Sequence, residues 1–243
     1  MSHNNLIQVC SDIHLETGDI KESDFKNILI KSAEILVLAG DIGSPFDKIY
    51  EQFILFCSSI FTKVLLITGN HEYYNYTICK TDNKIEEICL LYDNVIYLNN
   101  KIYEYEGITF IGSTLWSKIP KNINLYDLLK MKDYRLIKDF DLDVQNNIFE
   151  SNLKFIQLCL NEYTNCIVIT HHSPSFKCIS SEYIGDSTNY CYANNLDNLL
   201  IHKNLIGWIY GHLHSNFKQI DTKRFLYSNC YRTIDYNPQG FII

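Results

Sequence analysis

The 243 residues contain no apolar run of 18, roughly the least a membrane-crossing helix needs, and no basic segment leading into an apolar stretch at the polar N-terminus, Met1–Asn5. Membrane and secreted classes are therefore set aside, and a cytoplasmic chain is expected. Positive charge is also scarce: 21 lysines and arginines face 28 aspartates and glutamates, a formal net charge of −7. A dedicated nucleic-acid binder needs the opposite balance to neutralise phosphates, whereas a small phosphorylated substrate does not. No Cys-x-x-Cys pair occurs among the nine cysteines, an odd number, and Cys10, Cys57, Cys159 and Cys166 lie inside apolar runs. This argues for buried reduced thiols in a reducing compartment. Repeats, low-complexity tracts and linkers are missing too, and with 47% hydrophobic residues the chain is expected to bury one core as a single domain, 1–243.

What is present is a set of short, β-branched apolar runs nearly free of charge: Leu6–Cys10, Ile35–Ala39, Val64–Thr68, Ile167–Thr170 and Ile206–Tyr210. Such runs predict buried parallel strands. Each ends on residues able to hold a divalent metal: Asp12-Ile13-His14, Gly40-Asp41, Gly69-Asn70-His71-Glu72, Thr170-His171-His172 and Gly211-His212-Leu213-His214. Ligands bind beyond the carboxyl ends of strands in open α/β sheets, so these side chains can converge in one crevice. Six of the eight histidines fall in these motifs, a concentration that scattered core or surface histidines would not produce.

Between the first two strands, Phe25, Ile28, Leu29 and Ala33 repeat at helical spacing and predict a helix over 23–33. Ser44-Pro45 reads as an N-cap followed by proline at the first helical position, opening a helix that aligns Phe46, Ile49, Phe53, Cys57 and Ile60. From Val95 the runs shorten to Val95–Leu98, Lys101–Tyr105 and Ile108–Ile111, the last two joined by Glu106-Gly107, and a second sheet is expected to begin there with a hairpin. Residues 117–143 carry Lys118, Lys121, Lys130, Lys132, Arg135 and Lys138 without clear periodicity. The plainer reading is a solvated surface insertion, the other a loop or short helices over the site. Phe149, Leu153, Ile156 and Leu160 mark a packing helix, followed by a polar loop over 173–194 and a short helical stretch over 196–201. Phe217–Ile220 and Phe225–Ser228 read as an antiparallel pair around Asp221-Thr222-Lys223.

Asp12 and His14, two apart, are expected to share a face at a strand end, as two ligands of one ion must, although the pair alone is an ordinary strand-end sequence. Asp41 follows a glycine that allows a close approach, and its two oxygens can serve different cations. Its plain alternative is a helix N-cap, a role for which Ser44-Pro45 is the better candidate. Asn70, His71 and Glu72 present a neutral oxygen, an imidazole and a carboxylate in succession, and His171, His212 and His214 add nitrogens.

In order, Asp-x-His, Gly-Asp, Gly-Asn-His-Glu, His and Gly-His-x-His resemble the calcineurin-like metallophosphoesterase superfamily over Val9 to His214. More loosely, Thr114-Leu115-Trp116, the segment 170–174 and Asn237-Pro238-Gln239-Gly240 resemble a group of small, mostly uncharacterised bacterial-type members. The resemblance implies an α/β fold, a four-layer αββα sandwich of two mixed β-sheets flanked by helices. It implies one ion held by Asp12, His14, Asp41 and His214, and a second held by Asp41, Asn70, His171 and His212, with Asp41 bridging. His71 would be the catalytic side chain, and Asn70, His71 and His172 are the candidates for contact with substrate. Two cations about 3.5–4 Å apart would bind a phosphate oxygen and bring the pKa of a shared water toward about 7. A protonated His71 would serve the departing oxygen as general acid. Nitrogen and oxygen ligation without thiolate suits Mn²⁺, Fe²⁺ or Fe³⁺, or Zn²⁺.

Ser/Thr protein phosphatases of this superfamily continue Gly-Asp with an Asp that orients the catalytic His and an Arg that grips phosphate. Here Gly40-Asp41-Ile42-Gly43-Ser44-Pro45 lacks both. Without a bidentate clamp a dianionic monoester is less well held, so the expected activity is a phosphodiesterase on a small phosphorylated or nucleotide-like substrate. A phosphomonoesterase or protein phosphatase is the alternative, with Arg135, Arg224 and Arg232 as candidates for a replacement clamp and the orienter of His71 open. A non-catalytic protein-binding scaffold of the same fold is a reading of another class, but such scaffolds replace ligands or the catalytic His, and all are present here. A double-strand-break-repair nuclease shares the motifs, against the acidic charge and the lack of an added DNA-capping domain. Tyr73, Tyr74, Tyr76 and Trp116 offer ring faces to a base, or else pack.

Overall fold

A computed structural model describes residues 7–221 and 223–242. Leu6 at the expected start of the first strand, Met1–Asn5, and Thr222 in the expected final turn lie outside them. Strands β1 (Ile7–Cys10), β2 (Ile35–Ala39), β3 (Lys63–Ile67) and β4 (Val95–Tyr97) pair in parallel in that order. The second sheet holds β5 (Lys101–Tyr105), β6 (Ile108–Gly112), β7 (Cys166–Ile169), β8 (Leu205–Ile209), β9 (Phe217–Ile220) and β10 (Phe225–Ser228), ordered β5-β6-β7-β8-β10-β9 with antiparallel strands at both edges. β11 (Phe241–Ile242) runs antiparallel to β1 and closes the edge of the first sheet.

The helices are α1 (Phe25–Ile28), α2 (Lys48–Ile60), α3 (Ile78–Cys89), α4 (Leu125–Lys130), α5 (Asp133–Leu136), α6 (Leu142–Glu162) and α7 (Asp197–Leu200). Side-chain alternation along each strand explains why the strands read as unbroken apolar runs. Val9, Val37, Leu65 and Ile67 face Ile167, Ile169 and Ile209 of the opposite sheet. The intervening Leu36, Leu38, Val64 and Leu66 point outward onto Phe53 and Cys57 of α2 and Ile85 and Ile88 of α3. Across the molecule, Val168 and Trp208 pack on Phe149, Ile156 and Leu160 of α6. Both faces of both sheets are thus covered, at about 1.5–3 kcal/mol for each large aliphatic side chain buried, and the four layers are helix, sheet, sheet and helix. This is the αββα sandwich that the resemblance implied.

Four expectations about elements are corrected. The helix expected over 23–33 is a single turn at Phe25–Ile28 after a 3-10 turn at Glu22–Asp24. Gln8, projecting from β1, takes the backbone that would have continued it, donating to the Ile30 carbonyl at 3.1 Å and accepting from the Ser32 amide at 2.9 Å. Ser44-Pro45 is not a helix cap: the chain turns there, with the Asp47 amide on the Ser44 carbonyl at 3.0 Å, and α2 starts at Lys48. Val95–Tyr97 belongs to the first sheet, paired with β3, so the second sheet begins at Lys101. β3, β7 and β8 each begin and end one residue earlier than the apolar runs, within the usual uncertainty of a strand end. All nine cysteines are free and eight are buried, with Cys79 exposed. Among the described residues no helix is long and apolar enough to cross a membrane.

Candidate metal centre

The loops that follow β1, β2, β3, β7 and β8 meet at one end of the two sheets. Asp12, His14, Asp41, His212 and His214 all adopt left-handed backbone, with φ between 46° and 69°. That conformation costs a non-glycine residue about 1–2 kcal/mol, and these five make up almost half of the eleven non-glycine residues with positive φ among the described residues. Strain of this kind concentrates where surrounding structure over-determines a functional geometry. Asp12 and His14 thus converge through a strained turn, not through strand alternation. The Asp12, His14 and Leu15 amides donate to the carbonyls of Gly40, Asp41 and Ile42, lacing the first loop to the second.

The seven candidate ligands form two clusters joined by one carboxylate. Asp12, His14 and His214 make the first, with His14 Nε2 3.1 Å from His214 Nε2 and His214 Nε2 3.6 Å from Asp12 Oδ1. Asp41, His171 and His212 make the second, and Asn70 Oδ1 lies 3.2 Å from His171 Nε2. Asp41 Oδ2 stands between them, 3.8 Å from His14 Nε2 and 3.3 Å from His171 Nε2, while its Oδ1 accepts from the His71 amide at 2.8 Å.

Protonation is set by neighbours. His171 Nδ1 donates to the Ala39 carbonyl at 2.9 Å, which turns Nε2 toward Asp41 and Asn70. Burial pulls His171 down, yet the Asp41 carboxylate outweighs it and holds the imidazole up at about 10. Burial likewise opposes the low Asp41 value, but His171, His71 and His14 carry it well below the usual carboxylate range. Burial and the neighbouring His172 and His171 keep His212 neutral, and its Nε2 is buried without a hydrogen-bond partner among the described residues. Four imidazoles, two carboxylates and an amide oxygen with lone pairs converging at 3.1–3.8 Å repel one another unless cations or protons lie between them. The donor set therefore fits two divalent ions of the Mn²⁺, Fe or Zn²⁺ kind.

Two close approaches make room. A Cβ on Gly69 would lie 2.2 Å from Asp41 Oδ1 and 2.6 Å from His171, and one on Gly40 would lie 2.5 Å from His171 Nδ1. Glu72 points away from the ligands and accepts four backbone amides: Gly69 at 2.7 Å, Ile42 at 2.7 Å, Asp41 at 3.0 Å and Gly43 at 3.4 Å. It locks the third motif to the second. In Glu72→Gln an amide group must face some of these donors, and the loss is expected to be about 3 kcal/mol, read as a lower urea midpoint at unchanged slope. An unchanged midpoint would show that Glu72 is not a structural lock.

The centre opens into a cavity of about 680 Å³ whose wall includes Asn70, His71 and Tyr74. Of the three residues expected to touch substrate, His172 does not line it: at 1% exposure it packs between Trp116 and His212, and burial together with His171 pushes it down to about 3. Of the aromatic candidates, Tyr74 alone lines the cavity, with its ring 4.3 Å from His71. Tyr73 and Trp116 are core residues, and Tyr76 stacks on Phe46. Residues 117–143 are more than a surface insertion, because Lys130, Met131, Lys132 and Asp133 form part of the wall. None of Arg135, Arg224 and Arg232 lines it.

Two residues not singled out in the sequence hold the candidate site together. Asp133 Oδ1 accepts from Asn70 Nδ2 at 2.8 Å and Tyr74 OH at 2.7 Å, which aims Asn70 Oδ1 at the second cluster. Glu16 Oε1 lies 2.8 Å from His71 Nδ1 and 3.1 Å from His14 Nδ1. Burial raises the Glu16 carboxyl, but those two imidazoles outweigh it and hold it at about 2. The available signal was that Glu16 continues the every-second-residue spacing of Asp12 and His14.

Residues 6–216 match the family described as calcineurin-like phosphoesterase. An uncharacterised protein of Acanthamoeba polyphaga mimivirus is 33% identical over 272 aligned positions, covering 98% of this chain and 96% of its own. A phosphopantetheinyl hydrolase of Mycobacterium tuberculosis superposes on 100% of this chain and 97% of its own, with a TM-score of 0.76 at 15% identity. A dimetal phosphatase of Danio rerio does so over 97% and 90%, with a TM-score of 0.57 at 16% identity. At such identities the two solved structures share the fold.

Proposed function

Because the chain belongs to the calcineurin-like phosphoesterase family, we propose that it is a dinuclear-metal-dependent phosphodiesterase acting on a small phosphorylated or nucleotide-like molecule. The observation that carries the metal reading is Asp41 Oδ2, placed between one cluster of Asp12, His14 and His214 and another of Asn70, His171 and His212. These seven would hold the ions. Bound there, two divalent cations supply Lewis-acid polarisation of a phosphoryl oxygen and a water acidic enough to attack phosphorus.

The chain's own residues do the rest. His71, with Nδ1 engaged by Glu16, has Nε2 left for the departing oxygen and delivers a proton there. Tyr74 limits the swing of that imidazole, and Asn70 presents its oxygen because Asp133 holds its nitrogen. The diester reading rests on the lining: with no arginine in the wall, no planar clamp meets a phosphomonoester dianion. Lys130 and Lys132 in the same wall favour the second reading, a phosphomonoesterase, since an ammonium binds phosphate as a point charge. The expected setting is the cytoplasm, where nine unpaired thiols stay reduced.

The test compares bis-nitrophenyl phosphate with mononitrophenyl phosphate in Mn²⁺, using the native chain and His71→Ala. A phosphopantetheinyl ester, suggested by the name of the Mycobacterium tuberculosis neighbour, is a natural probe to run beside them. The diester is expected to be preferred, and His71→Ala to lower kcat on it about 10²-fold, the scale of a lost general acid. Monoester preference would support the second reading, and no turnover by a metal-loaded protein would support a scaffold.

A further inference from the structure

One carboxylate oxygen serves two histidines of different roles. Glu16 Oε1 is 2.8 Å from His71 Nδ1 and 3.1 Å from His14 Nδ1, and Glu16 Oε2 is buried without a partner among the described residues. Each imidazole therefore keeps a proton on Nδ1 in its neutral form, which leaves Nε2 of His14 facing Asp41 and His214 and Nε2 of His71 unengaged by Glu16, in a residue that lines the cavity.

The loop that carries Glu16 is pinned from the far end of the chain. Arg232 donates to the carbonyls of Ile13 at 3.0 Å and His14 at 3.2 Å, to Thr17 Oγ1 at 2.7 Å, and to the Asp19 carboxylate at 2.7 Å and 2.9 Å. Beyond Nδ1, the His71 ring lies against Tyr74 and His14, each with its ring centroid 4.3 Å away. The Asp that would follow the Gly-Asp motif in a protein phosphatase has no counterpart at 42–45.

We propose that Glu16, on a loop pinned by Arg232, is the positioning residue of His71, and that its shared Oε1 ties the orientation of the catalytic imidazole to that of the ligand candidate His14. This rests on the reading of His71 as the general acid. The arrangement replaces an orienter located after the second strand with one located after the first.

The test uses Glu16→Ala and Glu16→Gln in the full chain, the amide being isosteric and still able to accept one hydrogen bond. Bis-nitrophenyl phosphate kinetics in saturating Mn²⁺ are paired with metal content and with ¹⁵N imidazole spectra of the Zn²⁺-loaded chain, recorded where His71 is neutral. With metal retained, kcat is expected to fall about 100-fold in Glu16→Ala at little changed KM, and about tenfold in Glu16→Gln, the range typical of lost outer-shell partners. His71 is expected to be the Nδ1–H tautomer in the native chain and to lose that preference in Glu16→Ala. Should Glu16→Ala not fold, Glu16→Gln carries the same readouts.

Native kcat in the variants, an unchanged His71 tautomer, or full restoration by excess Mn²⁺ would each overturn the proposal, the last because Glu16 would then serve His14 alone. If the native chain hydrolyses no diester, the phosphodiesterase reading fails separately, while the tautomer comparison still decides the role of Glu16.

Discussion

Asp41→Asn is expected to lower diester hydrolysis by about 10³-fold or more, because it deletes the one atom shared by the two clusters. The direction of the amide is dictated by its surroundings. Asp41 Oδ1 accepts from the His71 amide at 2.8 Å, so the asparagine oxygen must stay on that side, since an NH₂ there would face a donor. The NH₂ then falls where Oδ2 was, 3.3 Å from His171 Nε2 and 3.8 Å from His14 Nε2, and offers no lone pair to either ion. Losing a cation's share of charge stabilisation is worth several kcal/mol, at about 1.4 kcal/mol per decade of rate. Metal analysis should find fewer than two ions per chain while far-ultraviolet circular dichroism stays native. Two retained ions with turnover within tenfold of native would refute the bridging role.

Gly69→Ala should disable the site without replacing any ligand candidate. The added methyl would sit 2.2 Å from Asp41 Oδ1 and 2.6 Å from His171 Cε1 and Nε2, and neither neighbour can give way. His171 is tied to the Ala39 carbonyl, Asp41 is 1% exposed, and the Gly69 amide is itself held by Glu72. A shift near 1 Å must be taken by the two residues that define the second cluster, which costs about 10²-fold for misplacement alone, and displacement of the shared Asp41 raises the expected loss to about 10³-fold. Overpacking should also lower stability by about 1–3 kcal/mol in urea. Gly107→Ala is the control, since that glycine also departs from ordinary backbone, at φ 79°, yet meets nothing within 4 Å. Activity in Gly69→Ala equal to that of the control would show the turn to be more pliant than its contacts imply.

The ligand candidates are readable in the sequence because each stands within a few residues of an apolar run, so the pattern that marks a strand also marks its end. Glu16 and Asp133 escape that reading because their partners, His71 and Asn70, are 55 and 63 residues away, and an acid beside a motif is chemically ordinary. The fold errors have the same origin. Periodicity over 23–33 is real, and Phe25, Ile28 and Leu29 are buried, but a side chain from β1 captures the backbone and halts the helix. Val95–Tyr97 has the composition of a buried strand whichever sheet it joins, and only pairing with β3 decides. The left-handed turns at Asp12 and His14 are invisible as well, since the sequence offers neither Gly nor Asn at either position.

The pinning of the first loop by Arg232 places the molecule's chemistry in time. Asn229 Nδ2 donates to the Val9 carbonyl at 2.8 Å, the Val9 amide donates to the Gly240 carbonyl at 2.9 Å, and His214 approaches Asp12 across some two hundred residues of chain. A chain emerging from the ribosome can form the β1–β2–β3 ladder early and lace the first loop to the second, but the loop that bears Asp12, His14 and Glu16 lacks its contacts with His214 and Arg232 until the last strands arrive. Completion of the centre is in that sense a finishing step, and a nascent chain interrupted before Arg232 would carry all five motifs but lack the contacts that pin the loop of Asp12, His14 and Glu16.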